Sequence, residues 1–194
     1  SGGKFSGTEA VFVMAGGNDV LYQLGALQAG ATAAGKTAGA TAGAQAFATN
    51  LAMALAAGAT IPTTAAAAIG AAIKTASAAP GATSTTIVGA AVQAAVNAGN
   101  TAAASPTVYG PLVAKAQADA TVTGNAAGAK AGTDYAAAQR PILVAAMKLA
   151  GTELVALVKD QIIAKGANYV IVNNLPDVAG TPSGLSKDAN TKAL

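Results

Sequence analysis

At 194 residues the chain is long enough to bury a core, and 53% hydrophobic against 10% charged residues is the opposite of a disordered composition. The absence of Cys and His removes thiol catalysis, disulfides, any His-containing triad and any His- or thiolate-ligated metal site from within this sequence, so no cofactor or metal is expected. The net charge of +3 comes from eleven basic residues spread without a run and with aromatics at only 4%, which argues against a nucleic-acid surface.

Ala occurs 56 times and Gly 23 times, a balance that predicts helices packed closely through small residues. The chain opens on Ser1-Gly2-Gly3 with no signal-peptide pattern, and is read as a processed chain or a fragment. The first predicted element is a buried parallel strand over 10–14, an apolar run that ends on Gly16-Gly17 and then presents Asn18 and Asp19. Ser6 precedes this strand instead of following one, so it is not expected to be a nucleophile. A carboxamide at the carboxyl edge of a parallel strand can donate to a developing oxyanion, which a carboxylate would repel. The plainer reading of the same four residues is a turn at Asn18 with Asp19 capping a helix.

Leu21, Leu24 and Leu27 recur every three residues and predict a helix next. Residues 30–37, "GATAAGKT", match the phosphate-loop pattern, but a helix precedes them where that loop needs a strand. Gly35, Gly39 and Gly43 recur every four residues, which favours a glycine-faced helix with a flat groove for a neighbour. Further helical faces are formed by Phe47, Leu51 and Leu55, by Ile69 and Ile73 after a cap at Thr63 or Thr64, and by Val88, Val92 and Val96 after Ser84 or Thr85. Breaks fall at Pro80-Gly81, Gly99-Asn100 and Ser105-Pro106. Stretches 37–73 and 75–114 carry no charge, but Pro62, Pro80 and Pro106 interrupt them, so no transmembrane span is expected. A long helix carrying Val144, Met147, Gly151, Val155, Val158 and Ile162 then ends at Lys165-Gly166, before a second buried strand over 168–173. Strand, helical crossover and strand should place the two strands parallel in one sheet.

Taken together, "FVMAGGNDVLYQLGAL" and "IIAKGANYVIVNNLPDVAGTP" resemble the GDSL, or SGNH, family of serine esterases and lipases, in particular its secreted and autotransporter-type bacterial branch. Gly16-Gly17-Asn18-Asp19 matches the family's G-x-N-D block, and residues 174–182 match the segment after its next strand. The resemblance implies an α/β chain, part of a three-layer α/β/α flavodoxin-like fold. Residues 1–27 and 134–194 would be the hydrolase core segments, and 28–133 an Ala/Gly-rich insertion of three to five helices. It implies an ester or lipid substrate, a secreted or cell-surface bacterial location, and Asn18 as oxyanion donor supported by Gly16, Gly17 and Asp19. The family's Gly-Asp-Ser and Asp-x-x-His blocks do not occur here, and Asp177 is read as a loop residue, so this chain alone is expected to be inactive. It would be an internal fragment or one chain of the enzyme, with strand 10–14 paired on its open side by the remainder of the hydrolase or a second copy. A non-catalytic helical interaction module is the alternative from another class, and a phosphate-loop nucleotide binder is the third.

Overall fold

The computed structural model describes residues 3–175 together with 180 and 182. In chain order it has strand β1 (Ala10–Val13) and helices α1 (Gly17–Ala56), α2 (Pro62–Ala78), α3 (Ser84–Asn97) and α4 (Pro106–Gln161), followed by strand β2 (Tyr169–Val172). Single 3-10 turns precede and follow α4 at Thr101–Ala104 and Ile163–Lys165. The chain divides into two compact units, one of residues 1–34 and 131–194 and the other of 35–130, so that α1 and α4 each contribute to both.

The first unit holds the sheet. Strands β1 and β2 pair in parallel with Ala10 opposite Tyr169, Val11 opposite Val170, Phe12 opposite Ile171 and Val13 opposite Val172, and Asn173 N–H extends the ladder to the Val13 carbonyl at 2.8 Å. The parallel pairing follows the sequence expectation, with each strand shorter by a residue or two. The expected fold class does not hold. Helix makes up 77% of the chain, and among the described residues the sheet has two strands of four residues, so this is a predominantly helical protein and not a three-layer α/β/α flavodoxin-like fold. A sandwich of that kind needs a wide sheet covered on both faces. Here Phe12, Tyr169, Ile171 and Val172 are exposed on a two-stranded ribbon, so the strands are not buried as expected.

The apolar stripe of α4 in this unit also drifts from its expected course. Val158 is buried and Val144, Met147 and Leu154 are half-buried, but Val155 and Gly151 face outward. Tyr135 lies against the bare backbone of Gly30, and a Cβ added at Gly132 would come within 3.2 Å of the Ala31 carbonyl oxygen. Of the large apolar side chains left exposed among the described residues, twelve belong to this unit and four to the other, so the first unit carries most of the unspent apolar surface.

The second unit holds the core. Leu51 and Leu55 of α1, Ile69 and Ile73 of α2, and Ala91 and Ala95 of α3 are fully or almost fully buried around Ala103 and Ala116. Val88, Val92 and Val96, expected to face inward, flank this cluster, and Ala91 and Ala95 take its centre. Alanine there lets α3 approach α2 more closely than valine would, since the distance between helix axes is set by the side chains at the crossing. Helix α2 starts with Ile61 as its cap residue and Pro62 in its first turn, not at Thr63 or Thr64. The cap of α3 is Thr83, one residue before the expected Ser84 or Thr85, in a capping box where Thr83 and Thr86 each accept the other's backbone N–H. At the far end of α3, Gly99 takes φ +99° and turns Asn100 inward. The buried Asn100 carboxamide donates to the Leu55 carbonyl at 2.7 Å, satisfying an acceptor that the end of α1 leaves without a helical partner.

The antiparallel contact of α1 with α4 in this unit is made by glycines. A Cβ built on Gly39 would lie 2.9 Å from the Gly124 carbonyl oxygen, and one on Gly124 would lie 2.8 Å from the Gly39 carbonyl oxygen. Gly35 and Gly128 meet in the same way, at 2.9 and 2.8 Å. No rotamer change relieves a clash with backbone, so overpacking of about 1–3 kcal/mol outweighs the gain of up to about 1 kcal/mol from replacing a helical glycine. Gly39→Ala should therefore lower stability in a urea titration. Gly70→Ala and Gly89→Ala, whose added Cβ atoms meet nothing within 4 Å, should raise it.

Candidate functional site

Parallel pairing brings the carboxyl ends of β1 and β2 to one edge of the sheet, and both segments of the resemblance emerge there. The turn after β1 reverses at Gly16, whose φ of +97° is a left-handed conformation that side-chain-bearing residues avoid. Gly17 begins α1, so Asn18 and Asp19 lie in its first turn, where the helix dipole favours the carboxylate of Asp19. Val20 N–H closes onto the Gly16 carbonyl at 3.1 Å. Across this turn sits Leu175, and a Cβ on Gly16 would come within 3.2 Å of its Cδ1. Leu175 is held in turn by its N–H donating to Asn174 Oδ1 at 2.9 Å.

Glycines at 16 and 17 thus do two things: they make the tight reversal, and they let the segment after β2 lie directly against the start of α1. Asn18 is exposed and makes no side-chain hydrogen bond among the described residues. Asp177 and most of the 174–182 segment lie outside the described residues. Residues 30–37 are helical throughout, inside α1, so their backbone N–H groups serve the helix and do not form a phosphate cradle.

The opposite, amino edge of the sheet is held by other groups. Phe5 N–H donates to the Lys165 carbonyl at 2.9 Å, and the Asn168 amide donates to the Gly7 carbonyl at 3.1 Å. Ser6 lies at this end, its hydroxyl 2.7 Å from Thr8 Oγ1 and its N–H donating to both carboxylate oxygens of Glu9. The length of β1 therefore separates Ser6 from Asn18, and the two do not form one site. Sequence reasoning did not single out Glu9, although a Ser followed three residues later by Glu carries this turn.

No family model, no curated protein and no solved structure matches this chain.

Hydrogen bonds from Ser6, its side chain first, and from the Glu9 backbone N–H lower the Glu9 carboxyl from 4.5 to about 2. Because the folded value is depressed, whatever stability this turn contributes is complete above pH 4.5 and is lost as the pH falls towards 2. An NMR titration should find the Glu9 carboxyl well below the ordinary Glu range, and Ser6→Ala should return it towards that range.

Proposed function

We propose that this chain belongs to a carboxyl-ester hydrolase of the GDSL/SGNH type and contributes the oxyanion donor Asn18, with the nucleophilic Ser and the His supplied by residues outside these 194. The supporting observation is the meeting of Gly16 and Gly17 with Leu175, which joins the two sequence segments of the resemblance at the carboxyl edge of the parallel pair. In such an enzyme an activated Ser attacks the ester carbonyl, and the tetrahedral intermediate is held by backbone N–H groups and the Asn18 amide. Water then hydrolyses the acyl-enzyme. A carboxamide helps most once the carbonyl oxygen becomes anionic, so its contribution belongs to the transition state more than to substrate binding.

The exposed apolar surface of the first unit supports the same reading. An isolated two-stranded sheet is marginally stable at best, and twelve large apolar side chains left exposed among the described residues of this unit are surface that association would cover. The open side of β1 carries Val11, Phe12 and Val13 with no Lys or Pro to guard it. The partner we assign to it is the strand of the hydrolase that bears the nucleophile. Helix α4 together with the 3-10 turn that follows it, Pro106–Lys165, adds to this surface: its most apolar stretch is 6% buried, and by length and composition alone it is long and apolar enough to cross a membrane.

In the assembled enzyme, Asn18→Ala should reduce kcat on a p-nitrophenyl acyl ester by about 10²–10³ with KM nearly unchanged. A kinetically silent Asn18→Ala would remove the hydrolase reading and select the non-catalytic helical interaction module, which the exposed position of Asn18 and the helical bulk of the chain favour. Amide hydrogen exchange checks the partner. The N–H groups on the open side of β1 should be unprotected in this chain alone and become protected when the rest of the hydrolase is added; protection that does not change would refute the assignment.

A further inference from the structure

The second unit contains a cleft of about 750 Å³ between α1, α3 and the facing stretch of α4, within the size range of small-molecule sites. Its floor is the glycine contact. Without side chains at 35, 39, 43, 124 and 128 the two helix backbones touch, and the space that larger residues would fill remains open above them. The cleft is not uniform along its length. At one end Phe47, Ile87, Val88 and Val113 form a half-buried apolar wall, with Ser84 at its margin. Gln117, Thr121 and Asn125 follow one another at successive turns of α4 as an exposed polar rim. At the other end stands Lys36; among the described residues it is the only charged member of the lining, no carboxylate lines the cleft, and Lys36 has no ion-pair partner.

We propose that this cleft binds a medium-chain fatty-acyl anion, its hydrocarbon tail against Phe47, Ile87, Val88 and Val113 and its carboxylate towards Lys36. The two ends are eleven residues apart on α1, about 16 Å at the helical rise, which suits an extended medium-length acyl chain. A single cation at one end of an otherwise uncharged, apolar-walled groove complements an amphiphile with one anionic head, and a neutral lipid would leave that complement unused. The inference deepens the ester-hydrolase reading by naming the acyl class, and rests on that reading only for the step from ligand to substrate.

Calorimetry with laurate on the intact chain tests it without any hydrolysis. One laurate per chain should bind saturably, and each methylene removed from the fatty acid should weaken binding by up to about fourfold. Filling the groove with Ala40→Phe should weaken laurate about tenfold or more, and Lys36→Glu should weaken laurate about threefold or more but leave dodecanol unaffected. Methyl NMR signals of Ile87, Val88 and Val113 should move on titration. If circular dichroism shows that Ala40→Phe does not fold, Thr121→Phe blocks the groove from the α4 side. No saturable binding, or binding that both groove-filling variants and the three methyl groups ignore, would overturn the proposal. So would self-association of the chain that Ala40→Phe abolishes and laurate does not compete with, since the occupant would then be a helix of a second copy. Laurate binding without Asn18-dependent esterase activity would keep the cleft and remove the hydrolase reading. Asn18-dependent turnover without laurate binding would do the reverse.

Discussion

In the second unit helices α1 and α4 meet backbone to backbone, and that contact requires that Gly35 and Gly39 face Gly124 and Gly128 with nothing between them. Large side chains would hold the two axes apart, because the side chains at a crossing set the interaxial distance. At this separation the weak Cα–H···O contacts of glycine can form in place of side-chain interdigitation. The constraint spreads to the rest of the unit. Core positions on α3 are Ala91 and Ala95, and the large side chains at the centre are Leu51, Leu55, Ile69 and Ile73. The end of the core is closed by one polar group, Asn100, which is admitted because it satisfies the Leu55 carbonyl.

Close helix packing has a second consequence, an open cleft. A backbone contact leaves room on either side that a conventional ridge of side chains would occupy, and the residues around that room differ in polarity from end to end. The property that makes this unit cohesive therefore also gives it a concave surface. A chain with few aromatics and many alanines has little other means of building one.

The first unit answers to a different constraint. Among the described residues its two strands satisfy each other's backbone groups along one side only, and its helical segments leave Ile142, Leu149 and Leu157 exposed. At about 25 cal/mol per Å² of apolar area, side chains of this size in water represent stabilisation that association would recover. The carboxyl edge of the pair, where Gly16 and Gly17 receive Leu175 and Asn18 is exposed, lies on this same ribbon, whose apolar side chains are left uncovered among the described residues. An oxyanion donor works in a water-excluded site, so under the proposed hydrolase reading a second polypeptide surface would have to cover that edge.

Local chemistry in the sequence determined the two strands, the helical breaks at Pro80-Gly81, Gly99-Asn100 and Ser105-Pro106, and the glycine face at 35, 39 and 43, because each depends on residues a few positions apart; the parallel pairing followed from the crossover rule applied to the two strand signals. The site turn was legible for the same reason: an apolar run, two glycines and an Asn are adjacent in the chain. The extent of the sheet was not legible. Two strand signals state that a parallel pair exists and say nothing of how many strands flank it, and the expectation of a three-layer sandwich borrowed the remainder from the resemblance. Which face of α3 turns inward, and which stretch of α4 receives the glycines of α1, were decided only in the tertiary structure. Periodicity marks a face by side-chain hydrophobicity, whereas helices this close select the smallest side chain, so Ala91 and Ala95 displaced the valines from the centre. The approach of Leu175 to Gly16 and the cleft above the glycine contact join segments many residues apart, and only the folded chain brings them together.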